Sequence, residues 1–267
     1  ILHGEELQIM EHCCEGEFAV LATSIDKMVQ RMLEQQSILQ KEKVFLADSM
    51  ADISHQMKTP LTSISLLLNL LQEEHLSEKK RLQYVQDLMK LTGRIDWMVY
   101  ALLRLAKLDA GTVQLQQVPY QIEDLIKAAV TPLEIALDIR DITLEVQMQP
   151  DLQHRGDISW MTEAVSNILK NCMEHTPSGG HIRIVTKDNP LYLLIKITDS
   201  GRGFTKQDLP HIFERFYRGQ NADTDSVGIG LALAKRIIIA QNGTIRAYNH
   251  KKDGGAVFEI RMYKGAV

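Results

Sequence analysis

The stretch Ser54-His55-Gln56-Met57-Lys58-Thr59-Pro60-Leu61 sets one histidine inside a long apolar pattern and follows it with a proline. The apolar positions step alternately by four and three residues, as in the seam of packed helices; they are Leu46, Met50, Ile53, Met57, Pro60, Ile64, Leu67 and Leu71. His55 falls between seam positions, so its imidazole is predicted to lie on the accessible flank. Pro60 lacks an N–H and allows a bend just after the histidine. By itself, the segment fits a phosphate acceptor or an ordinary surface histidine.

A second helical pattern follows a break near residues 74–78. Its apolar residues again step by four and three: Tyr84, Leu88, Leu91, Ile95, Met98, Leu102 and Leu105. Ser77 is the predicted helix start and Gly111 the predicted stop. Two such helices form an antiparallel hairpin with uncovered apolar surface, and pairing two hairpins gives a four-helix bundle. The pattern therefore predicts a homodimer.

Composition narrows the class of protein. The 267 residues are 45% hydrophobic and 24% charged, which suits one large or two ordinary globular domains. A net charge of −4 gives no electrostatic reason to expect nucleic acid as a partner. The cysteines Cys13, Cys14 and Cys172 lack metal-ligand or disulfide spacing and are predicted to be free thiols. The sequence contains neither a membrane-spanning run nor a signal peptide. Because the chain begins with Ile1, we expect it to be a piece of a longer protein.

The pattern changes from helical to mixed after Gly111. Helices are predicted at 121–138, 159–173 and 231–241, and strands at 142–147, 181–187, 191–198, 244–248 and 256–262. Helices combined with a mixed sheet predict an α/β layered domain.

Four patches in this second part carry polar residues suited to a nucleotide. Asn167 and Asn171 are spaced i, i+4 on one helix face, where an amide oxygen suits Mg²⁺ and an amide NH₂ suits phosphate. Asp199-Ser200-Gly201-Arg202-Gly203-Phe204 follows an apolar strand, and its carboxylate can accept from the amine of adenine. Each patch alone also fits an ordinary surface or a tight turn.

The remaining two patches flank a polar loop. Phe213-Glu214-Arg215-Phe216-Tyr217-Arg218 comes first, and Gly228-Ile229-Gly230-Leu231-Ala232-Leu233 opens a helix whose N-terminus favours phosphate. The loop 219–227 between them has the composition of a mobile lid over a nucleotide.

Taken together and in this order, the patches resemble the bacterial sensor histidine kinases of two-component signalling. His55 to Leu61 is similar to the family's H box, Asn167 to Asn171 to the N box, Asp199 to Gly203 to the G1 box, Phe213 to Arg218 to the F box, and Gly228 to Leu233 to the G2 box. Residues 105–111 resemble the end of the second hairpin helix, and residues 16–28 resemble the second helix of a HAMP linker.

The resemblance implies a dimeric antiparallel helical hairpin followed by a GHKL/Bergerat-type α/β sandwich that binds ATP. It implies boundaries at 1–40 for a HAMP-like helix, 41–112 for the dimerisation and histidine phosphotransfer domain, and 113–267 for the catalytic domain. Such a chain would be the cytoplasmic portion of a cell-membrane protein with an upstream transmembrane sensor. It would phosphorylate itself on His55, pass the phosphoryl group to an aspartate of a response regulator, and act as that regulator's phosphatase.

The resemblance also implies a role for each site residue. His55, Gln56 and Thr59 would be catalytic, with Thr59 serving the phosphatase reaction. Asn171, and less directly Asn167, would bind Mg²⁺. ATP would contact Asn167, Asn171, His175, Asp199, Gly201, Gly203, Arg215, Arg218, Gly228, Gly230 and Leu231.

Two positions depart from the family pattern. Gln56 stands where the family usually has Glu or Asp, so it can orient the imidazole but cannot take up its proton. Glu174 stands where a basic residue often contacts phosphate, and we expect it to face solvent or metal-bound water.

Two other readings remain open from the sequence. Chaperone, gyrase and mismatch-repair ATPases share the nucleotide features but have no reason to carry His55 on a hairpin. A non-enzymatic dimerisation module is favoured only by Gln56.

Overall fold

The computed structural model describes residues 17–73, 75–219, 227–250 and 254–264. These residues divide into two compact units, one reaching Lys58 and the other beginning at Thr59. The predicted thiols Cys13 and Cys14, residue Gly16 of the HAMP-like segment, and residues 220–226 of the predicted lid lie outside the described residues.

Helix α1 spans Glu17–Leu71 and contains the histidine segment. The helix is not interrupted at Pro60. In the unit that reaches Lys58, the apolar side chains of Leu21, Ile25 and Met28 are 42–58% exposed. An exposed apolar stripe of this kind is typical of a helix that packs against a partner.

Helix α2 spans Glu78–Asp109 and completes the predicted hairpin. Ser77 is its N-cap residue, although its side chain makes no capping hydrogen bond. Gly111 follows the helix with a φ of 63°, the left-handed conformation that ends many helices. In the unit that begins at Thr59, Pro60 is buried and the later seam residues Ile64 and Leu67 are half-buried.

The second half of α2 contributes to a core. Met98 and Ala101 are fully buried, Leu105 is 1% exposed and Leu108 is 8% exposed. Helix α2 packs against the last helix of the chain, which forms part of the same compact unit. This packing places the middle of the hairpin helix beside the α/β domain.

The α/β domain consists of a mixed sheet and a layer of helices. Its helices are α3 (Ile122–Val130), α4 (Glu134–Ile139), α5 (Ile158–His175) and α6 (Gly230–Ala240), with a 3₁₀ turn at Thr131–Leu133. Its strands are β1 (Val118–Gln121), β2 (Thr143–Gln147), β3 (Gln153–Gly156), β4 (His181–Asp188), β5 (Tyr192–Asp199), β6 (Gly243–Asn249) and β7 (Ala256–Tyr263).

The main sheet has the order β2-β4-β5-β7-β6, in which β2 and β4 are parallel and all other neighbours are antiparallel. Along β5, Leu193, Ile195 and Ile197 are fully buried and their neighbours are half-buried. Strand alternation thus gives the sheet one apolar face, against which the helices pack. The predicted α/β sandwich is confirmed.

Strands β1 and β3 form a separate antiparallel pair that the sequence did not indicate. Each has four residues, and β1 contains Pro119, so neither shows a usable alternation. Among the described helices, none is both long and apolar enough to cross a bilayer.

Candidate active site

A cavity of about 530 Å³ lies where α5, the end of β5, the start of α6 and the middle of α2 meet. Its volume is within the range of small-molecule sites. The predicted nucleotide residues that line it are Asn167, Asn171, His175, Asp199, Gly203, Arg218, Gly228, Gly230 and Leu231. The structure therefore brings together residues that are separated by up to 64 positions in the chain. Gly201 and Arg215 do not line the cavity.

Asp199 closes the base of the cavity from the last position of β5. It continues the buried series of Leu193, Ile195 and Ile197, because every second residue of a strand faces the same side. Its Oδ1 accepts hydrogen bonds from the N–H groups of Gly201 at 2.8 Å and Ala256 at 3.1 Å. The carboxylate is held in place by the backbone, which is the preorganisation that reading a base edge requires.

Burial raises the pKa of Asp199, although the two N–H donors, the thiol of Cys172 and the nearby His175 act in the opposite direction. Cys172 is itself fully buried on α5 and donates its S–H to this carboxylate. Burial also raises the pKa of the Cys172 thiol, so the group acts as a neutral donor.

Asn167 and Asn171 flank the buried face of α5, and both are half-buried at the cavity wall. Among the described residues, the Nδ2 of Asn167 is buried and has no hydrogen-bond partner. A buried amide donor without an acceptor is costly, so it is suited to a ligand oxygen such as that of a phosphate.

The amide oxygen of Asn171 is a candidate ligand for a metal ion in this cavity. In the part of the chain that the structure describes, no three His, Cys, Asp or Glu side chains are grouped as a metal site. Mg²⁺ is commonly held by few protein ligands together with phosphate oxygens and water, so the Asn171 amide fits this ion.

The N-terminus of α6 faces the cavity through Gly230 and Leu231. No side chain caps this helix at Ile229, so its first N–H groups are available to an anion. Gly228, just before it, has a φ of +75°, and a Cβ on it would lie 2.5 Å from the carbonyl oxygen of Tyr217. Glycine is thus required here to bring α6 to the cavity.

Two known domain families match parts of the chain. Residues 46–111 match "His Kinase A (phospho-acceptor) domain", and residues 156–265 match "Histidine kinase-, DNA gyrase B-, and HSP90-like ATPase". The chain belongs to the two-component sensor histidine kinases. The first match separates it from the other ATPases that share the second domain.

Individual sensor kinases support this assignment. The heme sensor protein HssS of Staphylococcus saprophyticus is 28% identical over 99% of this chain, which covers 55% of that protein. The sensor histidine kinase MprB from a mycobacterium is 27% identical in its solved structure, with a TM-score of 0.51 over 55% of this chain and 97% of that one. The chain spans about half the length of the curated relatives it matches.

A further solved structure agrees in fold. The histidine kinase ThkA, solved in complex with the response regulator protein TrrA, has a TM-score of 0.69 over 84% of this chain and 64% of that one. Its sequence identity is 18%.

The predicted phospho-acceptor of this histidine kinase, His55, is exposed on α1. Gln56 beside it is half-buried. The preceding hydroxyl of Ser54 bonds back to the carbonyl of Met50 at 2.8 Å within the same helix. The predicted accessibility of His55 is therefore confirmed. In the unit that follows, Thr59 is exposed and its carbonyl accepts from the hydroxyl of Ser63 at 3.2 Å.

The F-box residue Arg215 makes a contact that its predicted role does not include. Its guanidinium binds the carboxylate of Asp109, which also accepts from Arg236 of α6 at 2.7 Å. Arg218 lines the cavity, so only one of the two predicted phosphate arginines lies at its wall. Because the F box contains two arginines, its sequence did not indicate which of them would bind the hairpin helix.

Several residues that line the cavity were not identified as site residues from the sequence. Tyr217 and Asp208 line the cavity, and the tyrosine hydroxyl donates to the carboxylate at 2.7 Å. Thr205 also donates to Asp208, at 2.8 Å. This network joins residues that follow the G1 box to the F box, and only the presence of Tyr217 in the quoted F box could have indicated it.

A cluster between α2 and α5 holds the hairpin helix against the catalytic domain. Arg104 is 2.8 Å from a carboxylate oxygen of Glu163, and its guanidinium lies 3.9 Å from the centre of the Trp160 ring. Burial raises the pKa of Glu163, with Arg104 and Tyr100 acting against that shift. The combined ion pair and cation–π contact favours the docked arrangement.

Proposed function

We propose that this chain carries the kinase activity of a two-component sensor: it transfers the γ-phosphoryl group of ATP to His55, and then to an aspartate of a response regulator. The observation that carries this proposal is the convergence of the N-box, G1 and G2 residues on one cavity, in a chain that also presents an exposed histidine on a hairpin helix. An ATPase without phospho-acceptor chemistry needs the first feature and not the second.

The transfer step is a displacement at phosphorus. A neutral imidazole nitrogen of His55 would attack the γ-phosphorus, forming an N–P bond and breaking the bond to the oxygen that bridges the β- and γ-phosphates. ADP leaves with that oxygen, and solvent or phosphate accepts the imidazole proton because Gln56 cannot. Such transfers depend mainly on positioning and charge neutralisation.

The cavity residues take the roles that their positions allow. Asp199 would accept from the exocyclic amine of adenine, and the start of α6 with Asn167 would bind phosphate oxygens. Mg²⁺ would be held by Asn171, with Asn167 beside it, and would neutralise phosphate charge. His175 and Gly203 would shape the pocket around the nucleotide, Gly201 would position Asp199 through its N–H group, and Arg218 would bind phosphate. For Arg215 we retain a phosphate role only when its pair with Asp109 opens.

We propose that the active form is a homodimer formed through the hairpin. Support comes from the apolar side chains that the described hairpin leaves exposed, among them Leu66 at 59%, Leu82 at 61% and Met89 at 71%. Exposed apolar side chains on a hairpin favour its association with a second hairpin. The proposed partner in phosphotransfer is a response regulator, the class of protein with which ThkA was solved.

The domain limits 41–112 and 113–267, the HAMP-like segment 1–40 and a membrane-anchored sensor upstream remain proposals. The two family matches fall inside the second and third of these ranges. The membrane assignment is supported by relatives that are sensor proteins.

Thr59 is the proposed phosphatase residue. It follows His55 by four residues in the sequence and is exposed, and its hydroxyl would hold the water that attacks the phosphorylated regulator. A Thr59→Ala variant is expected to lose regulator dephosphorylation and keep autophosphorylation. Full phosphatase activity in that variant would exclude this role.

The kinase proposal is tested with γ-labelled ATP and Mg²⁺. The parent chain should acquire acid-labile, base-stable label, and His55→Ala should acquire none. A matched His75→Ala variant, which removes an exposed histidine near the hairpin turn, should label as the parent does. Label that persists in His55→Ala, or parent chain that binds ATP without labelling, would contradict the proposal.

A further inference from the structure

The hairpin helix forms one wall of the nucleotide cavity. Lys90, Leu91, Arg94 and Trp97 of α2 line it, and their spacing places them on one helix face. The ammonium of Lys170, beside the N-box residue Asn171 on α5, lies 5.4 Å from the centre of the Trp97 ring. None of these four α2 residues belongs to a motif that the family resemblance identified.

The charges around the cavity are unevenly distributed. Its basic residues are Lys90, Arg94, Lys170, Arg202 and Arg218, and its acidic residues are Glu174, Asp199 and Asp208. Two of the five positive charges therefore come from the hairpin helix and not from the catalytic domain.

Glu174 is the acidic cavity residue that shares α5 with Asn171, which it follows by three positions, and it is half-buried at the cavity wall. The flank formed by Asn167, Asn171 and Glu174 thus carries a negative charge. ATP with one Mg²⁺ bound is still an anion, so cations on the α2 wall would add to Lys170, Arg202 and Arg218 in neutralising it.

Of the two basic residues on the α2 wall, Arg94 is better suited than Lys90 to bind phosphate oxygens. Its guanidinium presents several N–H donors in a planar fork, which suits phosphate oxygens, and the residue is half-buried where a charged contact is less screened by solvent. Lys90 lies one turn earlier on the same face and is more exposed.

We propose that Arg94, assisted by Lys90, binds the phosphate groups of the nucleotide, so that the hairpin helix supplies part of the ATP site. The inference rests on the proposed binding of ATP in this cavity. Its consequence is reciprocal: a nucleotide with its full phosphate chain stabilises the docking of the catalytic domain on α2, and docking raises nucleotide affinity.

The test compares a non-hydrolysable ATP analogue with AMP, both in the presence of Mg²⁺, by titration calorimetry. Arg94→Gln should weaken binding of the analogue about tenfold, the loss expected for one charged hydrogen bond, and should change AMP binding less than about twofold. Arg94→Lys should recover part of the loss, and Lys90→Gln should weaken the analogue about threefold. Arg81→Gln, an exposed position of the same helix outside the cavity, should bind both ligands as the parent does.

The outcomes separate this inference from the proposed function. If Arg94→Gln binds the analogue as tightly as the parent, or loses both ligands equally, Arg94 does not contact the phosphates and the inference fails. ATP binding that still requires Asn171 would then leave the proposed function intact. A parent chain that binds neither ligand would overturn both.

Discussion

The carboxylate of Asp109, the last residue of α2, binds the guanidinium of Arg215 in the F box. The same carboxylate pairs with Arg236 of α6 at 2.7 Å, so one acidic side chain joins the end of the hairpin to two parts of the catalytic domain. Arg215 stands three residues before Arg218, which lines the nucleotide cavity. Breaking these ion pairs would therefore affect the segment that carries Arg218 at the cavity wall.

We expect Asp109→Asn to lower the free energy of unfolding by about 1 kcal/mol. The three side chains are 23–40% exposed, so solvent weakens the ion pairs but does not remove them. In denaturant titrations, Asp109→Asn and Arg215→Gln should be non-additive, because both remove the same contact. The exposed Asp96→Asn on the same helix is the control. Strict additivity would show that the pair does not contribute to stability.

Asp199→Asn should weaken the binding of ATP. The parent is expected to prefer ATP over GTP, and the variant to bind ATP roughly 10–100-fold more weakly, since a hydrogen bond to a charged group is lost. Competition binding with the two nucleotides measures this effect. A variant that keeps both its affinity and its preference for ATP would exclude Asp199 as the adenine contact.

The same variant carries a prediction about pH. Because burial raises the pKa of Asp199 above its ordinary 3.8, folding favours the protonated form. The stability from this group is fully present below that value and is lost as pH rises through the folded pKa. The unfolding free energy of Asp199→Asn relative to the parent should therefore increase as pH rises above 3.8 and level off above the folded pKa.

The sequence was most informative where local periodicity and position agree. The apolar run 191–198 predicted the strand and placed Asp199 at its end, and the i, i+4 spacing predicted that Asn167 and Asn171 share a face. In each case the feature depends on neighbours within one element, which the sequence itself contains.

The remaining features depend on contacts between elements. Arg94 and Trp97 line the cavity only because α2 turns that face toward the catalytic domain, and its helical period does not specify which flank will do so. Arg215 and Arg218 are the same residue type in one motif, yet one binds Asp109 and the other lines the cavity. Their difference arises from tertiary packing, which single-chain patterns do not record.

Asn171→Ala should remove the dependence of nucleotide binding on Mg²⁺. Asn171 is half-buried at the cavity wall, and its amide oxygen suits this ion. The parent should bind ATP more tightly with Mg²⁺ than with a chelator, and the variant should bind it equally, within about twofold, in both conditions. Asn69→Ala, at an exposed helical position of the hairpin, should behave as the parent. A full Mg²⁺ effect in Asn171→Ala would assign the metal to other residues.

Gln56→Glu should increase the rate of autophosphorylation. Gln56 can accept a hydrogen bond from the imidazole of His55, but only a carboxylate can also take up its proton during attack. General base catalysis contributes about 10²–10⁴-fold in enzymes, so we expect a gain of at least about tenfold in the initial rate of His55 labelling. Gln83→Glu, which adds the same charge at an exposed position of α2, controls for a general electrostatic effect. An equal or slower rate in Gln56→Glu would contradict the prediction and would mean that uptake of the imidazole proton does not limit the reaction.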